Sequence, residues 1–141
     1  MPDTRFQAGY SKTPLPKKLG VKAGLRITVI DPPEGFVEEG LGALPDGARL
    51  GASLDAPADL AIAFVLELAR LVELLPGLEA ATRPDGAFWI AWPKKASKVP
   101  TDVTEDRVRE VALPRGNVDV KVCAIDPTWS GLRLCQRREL R

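Results

Sequence analysis

Two apolar segments in the first half of the chain predict β-strands. Leu25–Ile30 alternates apolar and polar side chains and is rich in β-branched residues. Leu60–Val65 is wholly apolar, which is typical of a strand covered on both faces of a parallel sheet, although its alanines also allow a helix. Between them, residues 34–44 have helical spacing weakened by three glycines, so we expect a short, irregular helix there and a brief strand at 48–50.

The second half predicts two helices and the strand between them. Leucines and a valine recur every three or four residues over 68–78, a pattern typical of an amphipathic helix, and Pro76-Gly77 predicts an interruption near its end. Ala87–Trp92 is aromatic and apolar and predicts a central strand. Thr104 has the hydroxyl that can cap the start of the second helix.

Two further alternating segments, Val118–Ile125 and Leu132–Gln136, predict a closing antiparallel hairpin. Because strands and helices alternate, we predict an α/β fold, Rossmann-like, with a mostly parallel sheet in three layers and the C-terminal antiparallel hairpin at its edge. Residues 1–23, rich in proline, glycine and lysine, predict an extended arm packed on a single domain of residues 24–141.

Composition excludes several kinds of function. The chain is 45% hydrophobic and 28% charged, as in a globular domain, and has no long apolar stretch or leader, so we expect a cytoplasmic protein without a membrane span. The absence of histidine excludes serine–histidine and cysteine–histidine catalytic pairs. With only two cysteines, Cys123 and Cys135, we expect no metal site and two reduced, buried thiols.

Charge is unevenly distributed, although the net charge is only +1. Residues 1–26 contain six basic and one acidic side chains, whereas residues 27–82 contain two basic and ten acidic ones. This asymmetry predicts either an anion-binding face or simply oppositely charged solvated faces. The acidic middle argues against a broad nucleic-acid surface, and we do not expect nucleic acid as a partner.

Candidate site residues follow the first and the central predicted strands, because ligands of parallel α/β sheets bind beyond the carboxyl ends of strands. Asp31 and Glu34 follow the first strand, and Asp31 can hold a ribose hydroxyl or act as a base. The alternative is that Asp31 only stabilises the local turn, as acids at strand ends commonly do. Trp92 offers a stacking face, and the alternative is a tryptophan that caps the core. Positive charge for a phosphate or carboxylate comes from Lys94, Lys95 and Lys98, unless these lysines are simply solvated.

Four further residues are candidates for binding. Tyr10 and Lys12 are placed to fold over the same cleft as a lid, unless the arm only covers a sheet edge. Trp129 and Arg133 flank the hairpin turn and predict a cation–π pair or a docking surface, with a tryptophan that covers the hairpin end as the alternative.

The order of elements over residues 24–138 resembles a Rossmann-like methyltransferase domain. Members of that class carry a glycine-rich loop after the first strand, whose bare backbone approaches S-adenosylmethionine. Here that position reads Asp31-Pro32-Pro33-Glu34-Gly35. Because two prolines remove two N–H donors, the resemblance implies a cofactor loop that is absent or rebuilt.

A second resemblance rests on three stretches of sequence. These are Gly9–Gly20, Trp92–Ser97 with Thr101, Asp102, Thr104 and Glu105 after it, and Lys121–Asp126 followed by Thr128–Arg133. On these residues the chain is similar to a bacterial family, domain-of-unknown-function family 3052. The resemblance implies a single domain and a role for the arm, and it implies no activity.

From these observations our leading prediction is a non-catalytic module that binds an anionic small molecule or a protein partner and needs no cofactor. One alternative is a diverged S-adenosylmethionine-dependent methyltransferase, suggested by the order of elements. Another is a nucleic-acid-binding protein. The pattern of residues leaves the oligomeric state and the identity of the ligand open.

Overall fold

A six-stranded sheet organises the computed structural model, which describes residues 13–141. Its strands are β1 Arg26–Ile30, β2 Arg49–Gly51, β3 Leu60–Phe64, β4 Ala87–Pro93, β5 Asn117–Ala124 and β6 Trp129–Gln136. The helices are α1 Leu15–Leu19, α2 Leu68–Thr82 and α3 Glu105–Ala112. A π-helical turn spans Phe36–Leu41, and 3₁₀ turns span Lys95–Ser97, Leu113–Arg115 and Arg138–Leu140.

The strands lie in the order β2-β1-β3-β4-β6-β5. The first four strands run parallel, whereas β6 is antiparallel to both of its neighbours. This arrangement confirms the predicted Rossmann-like, mostly parallel sheet with an antiparallel C-terminal pair. The wholly apolar segment that also allowed a helix is strand β3, buried along its length.

The hairpin forms an antiparallel edge of the sheet, as the sequence predicted, with its second strand on the inner side. Strand β6 lies between β4 and β5, and β5 forms the edge. Leu132 and Leu134 of β6 are fully buried, whereas Val120 and Val122 of β5 are 52% and 42% exposed. Strand β6 therefore has both faces covered in its inner position, whereas β5 leaves part of its apolar surface exposed.

Helices cover both faces of the sheet, which confirms the three layers. On one face, α2 and α3 pack through a cluster that includes Leu71, Leu78 and Val108. On the other face, α1 and the π-helical turn pack through Leu15, Leu19, Phe36 and Leu41.

Within the predicted N-terminal arm, Leu15–Leu19 form helix α1, where the sequence predicted extended backbone. Leu15 and Leu19, one helical turn apart, are both buried in the core, and the indole N–H of Trp89 donates to the carbonyl of Leu19 at 2.9 Å. Gly20 ends the helix in the left-handed conformation, with φ 90°. Residues 1–12, which include the candidate residues Tyr10 and Lys12, lie outside the described part of the chain.

Helix α2 also differs from the prediction, because it continues through Pro76 without interruption. An internal proline costs about 3 kcal/mol. Burial of Leu74, Leu75 and Leu78 against the sheet offsets that cost. Among the described residues, no helix combines the length and apolar character that a membrane crossing requires.

Candidate functional site

The sheet has a topological switch point between β1 and β3, because the chain leaves β1 for β2 on one side and returns to β3 on the other. Loops that leave two such strands diverge, and ligands of α/β sheets bind in the crevice between them. A cavity of about 470 Å³ lies there, which we call the switch-point cavity. Its lining residues are Asp31, Pro33, Phe64, Leu66, Glu67, Arg70 and Trp129.

Opposite charges meet in the switch-point cavity. The guanidinium of Arg70, in the first turn of α2, donates from Nε and Nη2 to Asp31 Oδ2, at 3.3 Å each. Its Nη1 donates to Glu73 at 2.6 Å. Asp31 has φ 52°, a left-handed conformation that aspartate adopts more easily than most residues. The cavity thus presents a cation and an anion side by side.

Aromatic rings form the opposite wall of the switch-point cavity. The rings of Phe64 and Trp129 meet edge to face, with centroids 5.1 Å apart. Trp129 is placed by a turn in which Asp126 Oδ1 accepts the backbone N–H groups of Thr128 and Trp129, both at 2.7 Å. Because Asp126 is buried, this turn is shielded from water and fixes the backbone that carries the ring.

The loop after β1 contributes few backbone donors to the cavity. Pro32 and Pro33 have no N–H, and the N–H of Phe36 donates to the carbonyl of Pro33 at 3.1 Å. Glu34 lines a different, shallow cavity, beside Glu38 and Glu39. Asp31 and Glu34 therefore lie in separate cavities, and only Asp31 borders the switch point.

A second cavity, of about 600 Å³, lies beyond the carboxyl end of β4, and we call it the β4-end cavity. Its lining residues are Trp92, Pro93, Lys95, Lys98, Val99, Pro100, Thr101, Val103, Thr104 and Glu105. Trp92 is only 5% exposed, so most of its indole ring is packed in the core. Lys94 is not among the lining residues, and its N–H donates to the carbonyl of Thr128 at 2.7 Å.

The segment over the β4-end cavity is tied to the loop between β3 and α2. Thr101 Oγ1 donates to the carbonyl of Leu66, and the N–H of Leu68 donates to Asp102 Oδ1, both at 2.6 Å. Leu66 itself lines the switch-point cavity. These bonds place the two cavities on either side of the same short loop.

The structure brings some predicted residues together and separates others. Asp31 and Trp129 share the switch-point cavity, and Trp92 shares the β4-end cavity with Lys95. Arg133 lies against Gly20, in a small cavity near the amino ends of the parallel strands. Asp59 and Asp85 also line this cavity. Trp129 and Arg133 therefore face different sites, because four residues of extended strand separate them along β6. A cation–π contact forms elsewhere, between Lys121 Nζ and the Trp89 ring, at 5.9 Å.

Four lining residues of the switch-point cavity were not anticipated from the sequence. These are Phe64, Leu66, Glu67 and Arg70. A signal was available, because they follow a strand predicted to be parallel to the first, and the carboxyl ends of parallel strands meet at one edge.

The two cysteines lie on adjacent strands, as the sequence predicted. Cys123 of β5 is buried, and Cys135 of β6 is half-buried. Burial raises the pKa of the Cys123 thiol, and the nearby charges of Lys18 and Lys121 lower it by less. The thiol therefore stays protonated at neutral pH.

Solved structures with a similar fold include several methyltransferases. An S-adenosylmethionine-dependent methyltransferase from Aquifex aeolicus has a TM-score of 0.62 and 15% identity, over 84% of this chain and 85% of that one. Fibrillarin from Methanococcus jannaschii, a pre-rRNA processing protein, has a TM-score of 0.64 and 12% identity. The match covers 94% of this chain and 73% of that one. Fibrillarin from Aeropyrum pernix, with natively bound S-adenosyl-L-methionine, has a TM-score of 0.58 and 14% identity. The match covers 93% of this chain and 72% of that one.

These similarities correct the leading prediction from the sequence. The prediction of a non-catalytic binding module was wrong, because the similar structures include methyltransferases and a protein with bound S-adenosyl-L-methionine, and they favour the alternative of a diverged methyltransferase. No family model matches the chain, and no match was found among curated proteins, so the similarity to domain-of-unknown-function family 3052 stays a prediction.

Proposed function

We propose that the chain binds S-adenosylmethionine in the switch-point cavity and acts as a methyltransferase. The observation that carries this proposal is the position of the cavity, at the carboxyl ends of β1 and β3, in a fold shared with methyltransferases. Its volume of about 470 Å³ lies within the range of small-molecule sites.

The lining residues match the charged groups of S-adenosylmethionine. Arg70 is suited to its carboxylate, and Asp31 and Glu67 are suited to its ammonium group. The rings of Phe64 and Trp129 offer π-electron density to its positively charged sulfur. Since the pair of Arg70 and Asp31 is partly exposed, exchanging it for the charges of a ligand costs little.

The rebuilt loop after β1 changes how such a ligand is held. Pro33 lines the cavity with an apolar ring at a place where a glycine would present bare backbone. Side chains must then supply the polar contacts that backbone N–H groups do not. Affinity should therefore depend strongly on Arg70 and Asp31.

The chain's residues supply binding and orientation, and the bound molecule supplies the reactive group. When bound, S-adenosylmethionine would supply a methyl group on a cationic sulfur, which would keep the carbon–sulfur electron pair when the methyl group passed to an acceptor lone pair; a proton lost by the acceptor would pass to water. Burial of Phe64 and the hydrogen-bonded turn before Trp129 keep the aromatic wall in place.

Calorimetric titration with S-adenosylmethionine tests the proposal. We expect binding by the unmodified chain, at least tenfold weaker binding by Arg70→Gln and Asp31→Asn, and a thermal shift, since a ligand at 100 times its Kd adds about 2.7 kcal/mol. Arg26→Gln is the matched control, because Arg26 pairs with Asp59 in a partly exposed ion pair far from the cavity. Absence of binding at millimolar concentration, or equal affinity in Arg70→Gln and the control, would overturn the proposal.

A further inference from the structure

We infer that the β4-end cavity takes the acceptor molecule and that this acceptor carries a carboxylate or phosphate on an apolar body. This inference rests on the proposed function, because the cavity serves an acceptor only if the methyl donor binds beside it. Four observations carry it: a wall shared with the switch-point cavity, two lysines without acidic partners among the described residues, an apolar lining, and a fixed backbone.

The two cavities share a wall. Pro93 lines the β4-end cavity and pairs across the sheet with Trp129, which lines the switch-point cavity. Thr101 joins them a second time through its 2.6 Å hydrogen bond to the carbonyl of Leu66. A group transfer requires donor and acceptor in adjoining sites, and these contacts place the two cavities next to each other.

The charge of the β4-end cavity favours an anion. Lys95 and Lys98 line it, and within residues 13–141 neither ammonium group lies within ion-pair distance of a carboxylate. Glu105 also lines it, but its carboxylate is paired with Arg109. Two cations are thus left to face a ligand, and a carboxylate or phosphate is the complementary group.

The rest of the lining favours an apolar body of limited size. Trp92, Val99, Pro100 and Val103 form apolar surface, and Val99 is 36% exposed. A volume of about 600 Å³ suits a small molecule. The chemistry is therefore that of a small organic acid or phosphate ester with an apolar part.

Hydrogen bonds fix the backbone that carries the two lysines. Ser97 donates from its hydroxyl to the carbonyl of Lys94 at 2.6 Å, and the N–H of Lys98 donates to the carbonyl of Lys95 at 3.1 Å. Lys98 is held at φ 61°, which closes the turn. Because the backbone is ordered before binding, less conformational entropy is lost when the lysines contact an anion.

Calorimetric titration with benzoate, phenyl phosphate and benzamide, each without S-adenosylmethionine, tests the inference. Benzamide has the shape of benzoate without its charge. We expect one of the two anions to bind at least tenfold more tightly than benzamide, and which anion does so identifies the charged group of the acceptor. The double variant Lys95→Gln/Lys98→Gln should bind that anion about tenfold more weakly, and benzamide unchanged.

Lys17→Gln/Lys22→Gln is the matched control, since it removes two exposed lysines outside both cavities. Equal binding of benzamide and both anions, or no difference between the two double variants, would overturn the inference. S-adenosylmethionine is titrated in parallel, and the lysine variants should bind it as the unmodified chain does. If the anions bind through the lysines and S-adenosylmethionine does not bind at all, the proposed function fails instead, and the cavity's role as an acceptor site fails with it.

Discussion

Arg70 and Asp31 form an ion pair in the lining of the switch-point cavity, with both Nε and Nη2 of the arginine 3.3 Å from one carboxylate oxygen. Arg70 lies in the first turn of α2, and Asp31 follows β1, 39 positions earlier in the sequence. Their side chains are 39% and 54% exposed, so water screens the attraction between them. The pair therefore contributes little to folding and is available to a ligand.

Replacing Arg70 should separate binding from stability. Arg70→Gln is expected to lower the free energy of unfolding by less than about 1 kcal/mol, because exposed ion pairs contribute only that much. Urea denaturation measures this free energy. A loss of several kcal/mol would show that Arg70 supports the fold. Weaker ligand binding by the variant would then no longer be evidence that Arg70 contacts the ligand.

A buried carboxylate on the same helix should behave in the opposite way. Glu79 is 5% exposed and accepts hydrogen bonds from Arg115 Nη2 at 2.6 Å and from Asn117 Nδ2 at 2.7 Å. Glu79→Ala leaves both donors without their acceptor and should cost about 3 kcal/mol of unfolding free energy. The exposed Glu110→Ala should change it by less than about 0.5 kcal/mol, and equal losses in the two variants would refute this role for Glu79.

Stability at acid pH should depend on Asp59. A hydrogen bond from Arg26 lowers the pKa of the Asp59 carboxyl below its ordinary value. A carboxyl whose pKa is lower in the folded state stabilises the fold fully at pH values above its unfolded-state pKa. This stabilisation is lost as the pH falls through the lower pKa of the folded state. Between pH 7 and about 2, Asp59→Asn should thus lose less stability than the unmodified chain, as measured by urea denaturation at each pH. Parallel curves would contradict the assignment.

Cys123 should resist alkylation in the folded protein. Burial raises the pKa of its thiol, so little thiolate is present at pH 8, and the packing of the side chain in the core blocks access. In Cys135→Ser, which isolates Cys123, iodoacetamide should react at least about tenfold more slowly than in guanidinium chloride. Cys123→Ser reports on the half-buried Cys135 as a comparison, and equal folded and unfolded rates for Cys123 would contradict the prediction.

Local sequence was sufficient for most elements of the fold. Leu25–Ile30 and Ala87–Trp92 are strands within one residue of their predicted ends, and Thr104 caps α3 by accepting the N–H of Arg107 at 3.2 Å. Such features depend on periodicity and on side chains that bond their own neighbours, so they can be recognised without knowledge of the rest of the chain.

Partners distant in sequence could be predicted only in part. Asp31 was singled out because a strand end before a proline turn is visible in the sequence, whereas Arg70 looked like one more charged residue on an amphipathic helix. Arg133 was placed beside Trp129 because the two are close in sequence. They border cavities at opposite ends of the parallel strands. Four positions of extended strand span about 13 Å, so two residues that are close in sequence and share a face can still border different cavities.

The sequence by itself determined the α/β class, the bounds of most strands and the absence of a glycine loop after β1, because these follow from local pattern and residue type. Only the tertiary structure decided that β6 enters the sheet between β4 and β5, and that Arg70 meets Asp31. Both depend on which apolar surfaces cover each other across tens of residues, and the free energy of that burial belongs to the whole core rather than to any one segment.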